Sequence, residues 1–117
     1  MPLDGTTLLS MEARIIDEAL RLLGPNGEKW IQGRRADRRG NHCTIGAIKL
    51  ARHRLRAQGD DTERLLCNAP RRDGNYKGYL PIATFNDGAD RQFNHVREIF
   101  LLAKCEAMLR KWAYDCT

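Results

Sequence analysis

The chain has no apolar run approaching the roughly 20 residues that a bilayer-spanning helix needs. Its opening residues carry Asp4 in place of the basic start of a secretory signal. A cytoplasmic protein that does not enter a membrane is therefore expected. Paired metal-ligand spacing is also missing, with no C-x-x-C and no H-x-x-x-H. His42, Cys43, His53, Cys67 and His95 supply ligand atoms only in scattered positions, and the adjacent His42 and Cys43 do not readily point at one metal. Gly24, Gly27 and Gly33 match neither nucleotide-binding fingerprint, which argues against ATP-driven and dehydrogenase chemistry. Neither a cofactor nor a metal is expected. The four cysteines, Cys43, Cys67, Cys105 and Cys116, are widely and irregularly spaced, a pattern of buried free thiols rather than of a disulfide framework.

What is present is an ordinary globular composition, 42% hydrophobic and 30% charged over 117 residues, the size of one domain spanning 1–117. The positive charge is concentrated. Residues 1–28 hold two basic and five acidic side chains, residues 29–59 hold nine and one, and residues 60–117 hold nine of each. A local excess of this kind recruits an anionic partner.

Periodicity predicts a mainly α fold of about four helices. The first begins at Ser10, a capping residue, collects Ile15, Ile16, Ala19, Leu20, Leu22 and Leu23, and stops at Gly24-Pro25. Residues 30–45 read as loop with short apolar runs that could pair as a small hairpin. A second helix is expected from about Thr44 to Ala57, ended by Gly59. A short third helix follows, capped by Asp60 with Glu63 and running through Leu65, Leu66 and Cys67. Residues 70–78 read as exposed loop, and residues 79–85, containing Pro81, as extended chain on the core. Asn86-Asp87-Gly88 reads as a turn capping a long final helix from about Asp90. One face of that helix gathers Phe93, Val96, Phe100, Ala103 and Ala107, and another gathers Leu101, Cys105, Met108, Leu109, Trp112 and Cys116. So wide an apolar arc implies covering on two sides or a homodimer through this helix. The first, second and last helices are expected to pack their apolar faces together.

Three stations, Trp30-Ile31-Gln32-Gly33, Cys43-Thr44-Ile45-Gly46-Ala47-Ile48 and Phe85-Asn86-Asp87, resemble a family of small uncharacterised bacterial and phage proteins. Its members look like W-x-Q-G, C-x-x-G-A-I and W/F-N-D in this order. The resemblance implies no activity. It does imply a phage or mobile-element setting, in which a regulator or inhibitor of a host nucleic-acid complex would fit. Each station also has a reading as fold maintenance: Trp30 as an anchor beside the core, Gly46-Ala47 as close packing, Asn86-Asp87 as a cap.

Two functional constellations follow. Fifteen of the twenty basic residues are Arg, whose planar guanidinium grips phosphate or carboxylate bidentately. Arg34, Arg35, Arg38 and Arg39 fall in one Gly-flanked loop, Lys49, Arg52 and Arg56 form a helical stripe, and Trp30 borders them. Together they would bind nucleic acid or an acidic protein surface as a non-enzymatic interaction protein. The alternative is a cysteine-dependent hydrolase or transferase, with Cys43 as nucleophile at a helix start, His95 as base and Asn86 or Asp87 orienting it.

Overall fold

The computed structural model describes residues 10–57, 61–73 and 81–115, with side chains at 71–73 and 113–115 left aside. Within these residues the chain is mainly helical, as the periodicity predicts, but with five helices. Helix α1, Met11–Leu23, starts as expected: the Ser10 hydroxyl accepts from the Ala13 amide at 3.1 Å. It ends at Gly24, whose amide donates to the Leu20 and Arg21 carbonyls and whose φ of 87° turns the chain out of the helix. Ala13, Ile15, Ile16, Ala19 and Leu23 form its buried stripe.

Helix α2, Thr44–Arg54, is shorter than its pattern predicts. The Ala57 amide donates to the Arg52 carbonyl at 3.0 Å and the Arg56 amide to the His53 carbonyl at 3.2 Å, closing the helix with Arg56 at φ 51°. This is a Schellman closure in which Arg holds the left-handed position usually given to Gly. Gly59 and Asp60 lie outside the described residues.

Helix α3, Thr62–Asp73, runs through Pro70, so residues 70–73 of the expected loop are helical, and the rest of that loop lies outside the described residues, as do residues 79–80. Pro70 is fully buried beside Leu65, Leu66, Cys67 and Ala69, so apolar burial offsets the hydrogen bond that its missing N–H forgoes. Helix α4, Ile82–Asn86, replaces the extended segment expected there. Pro81 lies immediately before it at φ −55°, pre-set for entry into a helix, and Ile82, Phe85 and Asn86 are buried on one face.

Helix α5, Phe93–Asp115, starts three residues later than expected and is not capped by Asn86 or Asp87. Instead the Gln92 amide donates to His95 Nδ1 at 3.1 Å, a side chain reaching back over the first turn. Val96, Ile99, Phe100, Ala103 and Ala107 are buried. The opposite face is open in the single chain: Leu101, Leu109 and Trp112 are 45%, 57% and 56% exposed, and Cys105 is exposed. Cys116 lies outside the described residues.

Helix α1 is the middle of the core, packing against α2 on one side and α5 on the other, while α3 packs on α5. The first, second and last helices thus form a row rather than a mutual triad. Between α1 and α2 the chain makes no named strand among the described residues, only single bridges from His42 to Trp30 and to Ala36.

Candidate functional site

The segment between α1 and α2 is held by one buried polar side chain. Asn86, fully buried at the end of α4, accepts at Oδ1 from Trp30 Nε1 at 2.7 Å, from the Thr44 amide at 2.9 Å and from Thr44 Oγ1 at 2.6 Å. Its Nδ2 donates to the Ile31 carbonyl at 3.1 Å and to Asp87 Oδ1 at 2.9 Å. Gln32 Nε2 donates to the carbonyls of Asn86 and Gly88 at 2.8 and 3.0 Å, and the Gly33 amide to Asp87 Oδ1 at 2.9 Å. The three stations, dispersed in sequence, are therefore one network in space. In low dielectric such a network is worth most when every member is satisfied.

Residues 34–42 continue from this anchor as a closed loop. The Cys43 amide donates to the Arg35 carbonyl at 3.0 Å. That carbonyl rests on α2 where Gly46 has no side chain, and a Cβ at position 46 would collide with it. At the loop tip Asp37 Oδ1 accepts from the amides of Arg39 at 2.9 Å and Asn41 at 3.0 Å, while Oδ2 accepts from Asn41 Nδ2 at 2.9 Å. The Asp37 amide donates to the Asn41 carbonyl at 3.1 Å, and the Gly40 amide returns to the Asp37 carbonyl at 3.3 Å. The bonds from Asn41 hold the Asp37 carboxyl below the usual carboxylate range. The sole acid of the basic segment is thus occupied in shaping the loop.

The arginines around it are not so occupied. Arg34, Arg35, Arg38, Arg39, Lys49 and Arg56 are exposed, and none makes an ion pair among the described residues. Four cations elsewhere are paired: Arg21 and Arg54 with Glu18, Lys104 with Asp17, and Arg110 with Glu106. Arg52, expected in the basic stripe, is half-buried and pairs with Glu63 of α3 at 3.4 Å. Lys49 and the exposed His53 follow Gly46 along α2 at spacings of three and four, so the helix face that seats the loop continues into the basic stripe.

Trp30 is half-buried, its indole N–H taken by Asn86 and its ring tilted 51° against Phe93 at 6.1 Å between centroids. It serves the network, and no free aromatic platform stands beside the arginines among the described residues. Of the residues considered for catalysis, Cys43 is buried, and its Sγ accepts the Gly46 amide at 3.4 Å as the cap of α2. Asn86 and Asp87 serve the network, and His95 Nδ1 receives the Gln92 amide. No hydrogen bond joins Cys43 to His95, Asn86 or Asp87 among the described residues. Among the described residues no group of three or more His, Cys, Asp or Glu is placed to hold a metal, and no helix is long and apolar enough to cross a membrane. Sequence reasoning missed the parts played by Asp37 and Asn41. An Asp four residues before an Asn, in a loop closed by Gly40, was their signal.

Residues 10–104 match the pattern of DUF6197, a family of unknown function. The chain belongs to this family. The DUF6197 match takes in the Asn86 network, the arginine loop and the α2 stripe, and it ends before Cys105, Leu109 and Trp112 on α5. No curated protein and no solved structure matches the chain.

Proposed function

We propose that this DUF6197 member binds the phosphate backbone of nucleic acid through the face formed by Arg34, Arg35, Arg38, Arg39, Lys49 and Arg56. The observation that carries the reading is the concentration of exposed, unpaired cations between residues 34 and 56. Six exposed cations, four on one loop, one on α2 and one in its closing turn, have no ion-pair partner among the described residues, whereas Arg21, Arg54, Lys104 and Arg110 each have one. Unpaired arginines retain their full capacity for bidentate phosphate contacts.

With no free aromatic beside them among the described residues, backbone contact is favoured over base stacking, so duplexes should bind at least as well as single strands. The test is a titration of random-sequence duplex and single-stranded DNA and RNA across a salt series, with Arg34, Arg35, Arg38 and Arg39 changed to Ala. Binding that weakens steeply with salt and is lost in the variant supports the reading. No binding at low salt overturns it and turns attention to an acidic protein partner.

The exposed face of α5 supports a second component of this reading, a weak homodimer through that helix. Leu101, Cys105, Met108 and Trp112 follow the 4-3-4 spacing of a coiled-coil seam that a second copy of the chain would complement. Sedimentation at rising protein concentration tests it: a dimer dispersed by Leu101→Lys with Trp112→Lys supports the pairing, and a monomer at every concentration removes it.

A further inference from the structure

The arginine loop carries one acid at its tip, which at first sight opposes a polyanion. Its geometry points to the opposite effect. We infer that Asp37 is a positioning residue for the phosphate-binding face, and that the partner is gripped by a loop of fixed shape as well as by its charge. The inference rests on the reading of that face as a nucleic-acid site.

Three acceptances by one carboxylate hold residues 37–41. Both backbone amides it receives belong to the tip, and one is the amide of Arg39 itself. The Asn41 side chain takes the other carboxylate oxygen. The base of the loop is fixed independently, through the Arg35 carbonyl on Gly46 and the Gly33 amide on Asp87. With the base fixed, the directions in which Arg38 and Arg39 leave the tip depend on Asp37. A flexible tip would order four long cationic side chains only on binding, each at a cost in conformational freedom. A closed tip has met part of that cost on folding.

Charge and shape make opposite forecasts for one residue. Asp37→Ala removes a negative charge beside four arginines, so long-range attraction alone strengthens binding to a polyanion. It also removes the carboxylate acceptors that close the tip, so loss of order weakens binding. Asp37→Asn removes the same charge, keeps the side-chain carbonyl that accepts the Arg39 and Asn41 amides, and presents an NH2 to the Asn41 side chain, whose amide flips to turn its Oδ1 toward it.

The experiment titrates the full chain and both variants against a fluorescent random-sequence DNA duplex across a salt series, with thermal unfolding as the check on folding. The expected result is about fivefold weaker binding for Asp37→Ala and binding at least as tight as the unsubstituted chain for Asp37→Asn. The salt slope of the Ala variant should also be shallower, by about 0.9 for each phosphate that its arginines no longer neutralise. Equal tightening by both variants, or no change in either, overturns the positioning role and leaves the polyanion reading in place. Failure of the unsubstituted chain to bind at low salt overturns both.

Discussion

Trp30 Nε1 donates a 2.7 Å hydrogen bond to Asn86 Oδ1 across 56 residues of sequence. The bond joins the loop after α1 to the end of α4, and Thr44 completes it from the first turn of α2. The basic face is therefore tied to the core through an amide that is itself fully buried.

Asn86→Ala should be the most damaging single change in this region. It strands the Trp30 N–H, the Thr44 amide and the Ile31 carbonyl, and each buried group left unpaired costs about 1–3 kcal/mol. A loss of about 3 kcal/mol or more is expected by urea unfolding. Asn86→Asp keeps the acceptor but sets carboxylate oxygen against the Ile31 carbonyl and Asp87, and it too should destabilise. A loss below about 1 kcal/mol for Asn86→Ala would mean that the network is dispensable.

Gly46→Ala should destabilise although Ala favours helices by about 1 kcal/mol over Gly. The added Cβ meets the Arg35 carbonyl, which is backbone and cannot swing aside as a flexible side chain would. A net loss of about 1–3 kcal/mol is expected, read as a lower Tm. A variant as stable as the unsubstituted chain would show that the loop does not rest on α2.

Arg56→Gly should separate stability from binding. Arg56 closes α2 at φ 51°, where a side chain is unfavourable and Gly is not. Stability should rise by about 0.5–1 kcal/mol, while the face loses one unpaired cation and nucleic-acid affinity falls. A gain in both, or a loss in both, would contradict this account of position 56.

Acid should weaken the fold through Glu18 and Asp37. Glu18 is lowered chiefly by its hydrogen bond with Arg21, against burial that raises it, and Asp37 by its bonds from Asn41. A carboxylate whose folded pKa lies below its ordinary value contributes stability above that value, and the contribution is lost as pH falls through the folded pKa. The ordinary values are 4.5 for Glu and 3.8 for Asp. The denaturant midpoint should therefore be flat near neutrality and decline below these values, and Asp37→Asn should decline less. A midpoint that rises on acidification would have the wrong sign.

The sequence by itself determined what depends on neighbours along the chain. Ser10 and Gly24 mark the ends of α1 because a cap and a left-handed glycine act within one turn. The buried face of α5 follows from its 3.6-residue period, and the concentration of arginines is visible without any coordinates. Where local signals misled, burial had outweighed them: Pro70 lies inside α3 because its ring is buried, and residues 82–86 turn into a helix because Ile82, Phe85 and Asn86 then share a face against the core. Only the tertiary structure decided that Asn86 is a hub rather than a cap, that Arg52 belongs to Glu63, and that Asp37 shapes the loop its arginines occupy. Which donors meet a given acceptor is settled by how the helices pack in three dimensions, and no spacing along the chain encodes that meeting.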